Sequence, residues 1–249
     1  MKHIKLLSIG GLPLMWGIYF LFELVTGRAS DPLTFLANII LIAIFSSIGY
    51  IIYIYSTKHT NGIPFKKLLF VFFILMLIDQ GIKIIIKFYF FNKNITIINK
   101  MLSFSPLINT DGSWLNARFG TSVSFPILIF TNVIALFFLL EIYRYLVSKN
   151  ISTFFGDCSF IFLFCGALCS LIDKVFYGGS LDFIGISNLF VADIKDIYIN
   201  LGLYFFILAT YSSGYLTSAD NSTLKDDFES FKNFLIFTKN DIFSIVKRK

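Results

Sequence analysis

Apolar residues along this chain come in long unbroken runs, not in the alternating or i, i+3, i+4 stripes of a soluble protein. Runs of about 20 apolar residues are long enough to cross a hydrocarbon core of roughly 30 Å. Six such runs are predicted, at 6–26, 33–56, 68–91, 124–147, 154–177 and 196–216, each dominated by Phe, Ile and Leu. Helix is the expected form of every one, because a helix satisfies its backbone groups within the segment and lipid offers no partner for them. The first run follows Met1-Lys2-His3-Ile4-Lys5, the charge pattern that opens a secretory signal. It is longer than a signal core of about 7–15 residues, and no small-x-small cleavage site follows, so it is read as a span.

The polar intervals complete the architecture. Within the loop 92–123, Ile95 to Ile108 is rich in Ile, Leu and Phe and predicts one or two short strands near the membrane surface. Asp111-Gly112-Ser113 marks a turn, and Trp114 suits an interfacial anchor. The segment 57–67 is a turn-rich linker. Beyond 216, Phe228, Phe231 and Leu235 recur at helical spacing, which fits a helix lying in the cytoplasmic leaflet or a solvated or partner-docked helix. The expected fold is an all-α integral membrane protein of six transmembrane helices with a small extracytoplasmic strand-containing cap. It divides into a two-helix N-terminal extension (1–62), a four-helix unit (63–216) and a polar, amphipathic tail (217–249).

Composition agrees: 56% of residues are hydrophobic and 14% charged, against roughly 25% charged in soluble domains. Lys and Arg set the orientation. If six spans alternate, Lys2, Lys5, Lys58, Lys66, Lys67, Arg144, Lys149 and the basic tail share one side, the cytoplasm, with both termini. The loops 27–32, 92–123 and 178–195 then face outward. The net charge of +6 reflects this topology and adhesion to anionic membrane lipid, not nucleic-acid binding. Cys158, Cys165 and Cys169 form a small-residue stripe in the fifth run and read as helix packing. His3 and His59 have no ligand-spaced partner, which argues against zinc and against a His-dependent nucleophile.

Ionisable groups within apolar runs are expensive and each requires a reason. Asp79, Lys83 and Lys87 recur every four residues on one face of the third run, where an Asp79–Lys83 pair would neutralise itself and Lys87 would snorkel outward. Ser170, Asp173 and Lys174 lie at the outer end of the fifth run. Gly178-Gly179 breaks that helix, Asp182 follows, and Asp193 and Asp196 stand where the sixth run begins. All these carboxylates are therefore expected at one outer interface. Two carboxyls close together share a proton, so that the ionised one activates a water while the other protonates the oxygen or the leaving amine. Taken alone, such a cluster equally fits cation binding, helix capping or an ion path.

The order of the motifs resembles signal peptidase II. Asp79-Gln80-Gly81-Ile82-Lys83 matches that family's Asp-Gln-x-x-Lys block. Asn109-Thr110-Asp111-Gly112-Ser113-Trp114 loosely matches its Asn-containing outer loop, with Asn116 and Phe119-Gly120 as a weaker candidate. Gly166 through Lys174, followed by Gly178, Gly179 and Leu181-Asp182-Phe183, matches Gly-x-x-x-Asn-Leu-x-Asp-Arg with its trailing Gly and hydrophobic-Asp-Phe. Asp193-Ile194-Lys195-Asp196 with Gly202 matches Phe-Asn-x-x-Asp with a glycine six residues on. The resemblance covers about residues 68–216. Lys174 departs from the usual Arg, Ser170 from Asn and Asp193 from Asn, and lysine lacks the planar fork of arginine.

The resemblance implies an aspartic endopeptidase of the bacterial cell membrane that removes signal peptides from diacylglyceryl-modified prolipoproteins, with no metal and no cofactor. It implies Asp182 and Asp196 as catalytic acids, unless Val191-Ala192-Asp193 is read as the family's x-Ala-Asp, which makes Asp193 catalytic. Asp79, Lys83, Asn109, Ser170, Asp173, Lys174 and Asp193 are expected in substrate binding or structural support, and Asp193→Asn is expected to leave activity largely intact. The alternative is a catalytically weak relative that binds lipidated peptides or regulates another membrane protein. Nothing in the sequence speaks to oligomeric state.

Overall fold

The computed structural model describes residues 2–27, 31–59, 62–99, 101–111, 116, 123–186, 189–214 and 224–247. Helices α1 (Lys2–Val25) and α2 (Pro32–Lys58) form an antiparallel hairpin. Helix α3 (Phe65–Ile85) runs on into a π-helical turn, Ile86–Phe90. Strands β1 (Ile95–Ile98) and β2 (Leu102–Asn109) follow, then α4 (Phe125–Ser148) and α5 (Phe154–Ile172), which ends in a second π-helical turn, Asp173–Tyr177. Strands β3 (Ser180–Ile186) and β4 (Phe190–Ala192) lead into α6 (Ile194–Ser212), and α7 (Leu224–Lys247) closes the chain.

Local chemistry sets the helix starts. Asp31 caps α2, accepting from the backbone N–H groups of Leu33 and Thr34, with Pro32 in the first turn where its missing N–H costs nothing. Thr153 caps α5 through Gly156 N. Asp193 caps α6 in a reciprocal box with Asp196. Buried Asp157 accepts from Ile63 N (2.5 Å), Tyr143 Oη (3.0 Å) and Ser152 Oγ (3.0 Å), tying the linker before α3 to α4 and α5.

Among the described residues, five helices are long and apolar enough to cross a membrane: α1, α2, α3 with its π turn, α4, and α5 with its π turn. Their outward faces carry exposed apolar residues such as Leu77 (73%) and Phe130 (66%), as lipid contact requires. The sixth expected run forms α6, whose first two turns carry Lys195, Asp196 and Asn200 and so lower its apolar character.

The four strands make one antiparallel sheet in the order β1-β2-β3-β4. Of the one or two strands expected between 95 and 108, two are present, β1 and β2; β3 and β4 were not anticipated, and they add a return from the loop after α5. Strand β2 pairs with β3 so that Asn109 faces Ser180 and Leu107 faces Asp182. Gly178 takes φ +63, the left-handed turn that ends the helix. A Cβ on Gly179 would lie 2.7 Å from the carbonyl oxygen of Asn109, so glycine lets β3 close onto β2.

Leu181 and Phe183, on one face of β3, pack with Ile86. Deeper in the bundle, Leu68, Ile161, Cys165 and Tyr198 join α3, α5 and α6. All three cysteines are buried and unbridged; Cys165 and Cys169 face Phe72 and Met76 of α3 as packing groups. The N-terminal hairpin leans on α6, where Tyr204 Oη donates to Ser8 O (2.7 Å). Arg144 of α4 pairs with Asp241 of α7 at 2.7 Å, and Tyr145 stacks edge-on to Phe234 and Phe237, so the tail helix is docked along that side. The anchor expected at Trp114 and most of the turn after Asp111 lie outside the described residues.

Candidate active site

Charged side chains collect where the ends of α3 and α5, the strands β2 and β3, and the start of α6 converge. At the centre is Lys83, fully buried, with its Nζ 2.9 Å from Asp79, 2.8 Å from Asp173 and 2.6 Å from Asp193. An unpaired ammonium there would be costly to bury, and the three carboxylates would repel one another without it. The Asp79–Lys83 pair therefore does more than neutralise itself. It fastens α3 to the end of α5 and to the start of α6.

Asp173 meets Lys83 and, at 3.3 Å, Lys195. Lys174, its neighbour in sequence, points about 100° away around the helix. Lys174 instead donates one turn back to Ser170 Oγ (2.5 Å). Lys87 lies over the Tyr177 ring at 4.7 Å, joining the two π turns.

Asp182 projects from the face of β3 opposite to Leu181 and Phe183 and is 3% exposed. Asn109 Nδ2 of β2 donates to its Oδ2 (3.0 Å), and Ser180 Oγ donates to its Oδ1 (2.5 Å). Asn109 Oδ1 accepts from Asp111 N (3.1 Å), which fixes the amide. Asn116, the weaker candidate for that loop block, holds loop backbone at Asp111 O and Val123 O, not the aspartates. Burial pushes the Asp182 carboxyl up from its ordinary range, while Lys195 and the Ser180 and Asn109 hydrogen bonds partly offset this.

Asp193 is fully buried and heavily engaged. Its Oδ1 accepts from Asp196 N (3.2 Å), and its Oδ2 faces Lys83 (2.6 Å) and Lys195 (2.5 Å). Burial alone would push this carboxyl up; the two lysines outweigh it and hold it below the usual range. Asp196 is half-buried, and its carboxylate accepts from Asp193 N (3.2 Å). One carboxylate oxygen from each of Asp182, Asp193 and Asp196 lies within 4.8 Å of the others. That spacing resembles a cation site, but the Asp193 carboxylate already faces two ammonium groups, those of Lys83 and Lys195.

Lys195 and Ser180 belong to this centre and were not singled out from the sequence. Lys195 Nζ bonds Ser180 Oγ and lies 3.8 Å from Asp182. In the sequence it read as one more loop cation. Its position between Asp193 and Asp196 was the available signal.

This arrangement is that of a polytopic membrane protein with a buried carboxylate–lysine centre against a small sheet. The chain belongs to the signal peptidase II family: a family model described as signal peptidase (SPase) II matches residues 71–212, more than half of its length. Helices α1, α2 and α7 lie outside that match. Two solved structures described as bacterial membrane enzymes determined by the in meso method, at 2.3 Å and 1.9 Å resolution, share the fold. The first is 20% identical with a TM-score of 0.53, over 66% of this chain and 99% of its own. The second is 22% identical with a TM-score of 0.50, over 65% and 99%. No curated protein gives a significant match.

Proposed function

We propose that this chain is a membrane aspartic endopeptidase that cuts signal peptides from diacylglyceryl-modified prolipoproteins, using Asp182 and Asp196 as its acid pair. The observation that carries this is the approach of the Asp182 and Asp196 carboxylates to within 4.8 Å, delivered by a strand and a helix start that the family pattern marks. In the proposed reaction one carboxylate takes a proton from water, which attacks the scissile carbonyl, and the protonated partner gives its proton to the departing amine. Asp193 is the weaker candidate because its oxygens are occupied by two lysines and a backbone N–H. Asn109 and Ser180 hold Asp182 in place. Asp79, Lys83 and Asp173 brace the helices that carry the pair, and Ser170 braces Lys174.

The proposed topology has six spans, with α6 the sixth, the sheet outside and both termini in the cytoplasm. A centre at the outer interface lets acyl chains remain in lipid while the scissile bond reaches the pair. The purified protein, given lipidated and unlipidated precursor peptides, is expected to cut only the lipidated one. Asp182→Asn and Asp196→Asn should each lower the rate by about 10²–10⁴-fold, and the double variant should lose no more than either alone. Lipid-insensitive cleavage would count against the substrate class, and full activity in Asp182→Asn against the mechanism.

One observation favours a second reading. Lys195 sits against the carboxylates where the reacting groups would meet, which suits a relative that binds lipidated peptides and cuts them slowly or not at all. Tight binding of the lipidated peptide without cleavage would select it.

A further inference from the structure

The fourth sequence block leaves the position before its last aspartate open, and here a lysine fills it. Lysines near a membrane surface ordinarily snorkel toward water. Lys195 does the reverse: it is 6% exposed and its ammonium is turned inward. It contacts Asp193 at 2.5 Å, Asp173 at 3.3 Å and Asp182 at 3.8 Å, and it bonds Ser180 Oγ, which in turn donates to Asp182. Among the described residues it is the one ammonium within 4 Å of Asp182.

The Ser180–Lys195 contact has the outline of a serine–lysine pair. A lysine base must be neutral to take the hydroxyl proton, and the surrounding carboxylates favour its charged form. Ser180 also spends its proton on Asp182. A nucleophilic role is therefore rejected, and an electrostatic one remains.

We propose that Lys195 is a positioning residue that fixes the charge of the acid centre: an ammonium from the first turn of α6 that holds Asp182 and Asp193 together and keeps the centre from taking up an extra proton. The charge balance supports this. Lys83 of α3 already serves Asp79, Asp173 and Asp193, so it leaves little positive charge for β3. From α5, Lys174 is turned back to Ser170. From β2, Asn109 supplies a neutral donor only. On α6, Asp196 adds a further negative charge beside Lys195. Without Lys195, Asp182 would stand in a buried acidic cluster with no ammonium of its own.

An opposite charge at this distance moves a carboxyl by about one to three pH units. The consequence for cleavage rate rests on the peptidase reading above; the titration itself does not. The test follows the protonated-carboxyl infrared band of the full-length protein in detergent against pH, with Asp182→Asn assigning the Asp182 component. Lys195→Met and Lys195→Gln remove the charge and approximate the stem, and Lys195→Arg keeps the charge. In either neutral variant the Asp182 band should persist to a pH at least one unit higher than in the unaltered protein, while Lys195→Arg should titrate within a few tenths of it. An unchanged midpoint in a folded neutral variant overturns the proposal. Failure of both neutral variants to fold, with Lys195→Arg folded, still assigns the role to charge. Failure of all three shows that shape matters instead, and also overturns it. Peptide cleavage measured on the same samples separates this result from the peptidase reading, since a shifted band in a protein without cleavage keeps the charge role and rejects only the enzyme.

Discussion

At the residue scale, Asp193 and Asp196 are three positions apart and do different work. Asp193 is a helix cap with two ammonium partners, and Asp196 is the less buried carboxylate beside Asp182. Asn can still cap a helix start, so Asp193→Asn should keep the geometry of α6 and retain cleavage, at a cost in stability because Lys195 loses its nearest counter-charge. The pH dependence gives the check. A carboxyl held below its unfolded value stabilises the fold above that value, near pH 4, and the contribution is lost as pH falls through the lower folded value. Thermal melts from pH 7 to pH 3 should therefore show an acid-side loss of stability that is smaller in Asp193→Asn. A melt profile unchanged by the substitution would remove the ion-pair role. The acids were legible in the sequence because carboxylates beside apolar runs are rare and must be paired. Lys195 and Ser180 were not, because a lysine or serine in a loop is ordinary, and only the return of β3 brings Ser180 to within hydrogen-bonding reach of Lys195, fifteen positions along the chain.

At the scale of elements, the site depends on how closely α5 and α6 approach. A Cβ on Gly202 would lie 2.6 Å from Leu163 Cγ and 2.9 Å from its backbone nitrogen, and one on Gly166 would lie 2.6 Å from Ile199 Cγ1. This gives the glycine six residues past Asp196 a physical reason, since small residues let membrane helices meet at backbone distance. Gly202→Leu should separate α6 from α5, destabilise the protein by about 1–3 kcal/mol or more and displace Asp196 from Asp182. Gly81→Leu serves as the control, because a Cβ there meets nothing within 4 Å. Equal melting temperatures and equal cleavage for the two variants would reject the close-packing account. The helices themselves were legible from run length, and the strands of 95–108 from their composition. Strands β3 and β4 were hidden because Leu181 to Ile186 is a short mixed run between a glycine break and an acidic helix start. Its partner β2 lies more than seventy residues earlier, so local pattern carries no trace of the pairing.

At the scale of the molecule, the orientation turns on α6 crossing the membrane. Its 19 residues would span about 28 Å at 1.5 Å per residue, close to the roughly 30 Å of a hydrocarbon core. Its polar positions, Lys195, Asp196 and Asn200, are confined to the end that meets the sheet, where Lys195 is buried against carboxylates and not exposed to lipid. The rest of the helix is apolar except for Tyr, Thr and Ser, so charge does not bar insertion. If α6 spans, the six crossings alternate, and the loop at Thr110 and the tail at Lys225 lie on opposite faces. Single cysteines at 110 and 225 can be tested with a membrane-impermeant maleimide on intact cells and on inverted vesicles. The native Cys158, Cys165 and Cys169 are buried and should stay silent. Position 110 should label from outside and position 225 only from the cytoplasmic face. Labelling of both from one face would mean that α6 re-enters instead of crossing, which would place α7 on the same side as the sheet and dismantle the orientation drawn from the lysines.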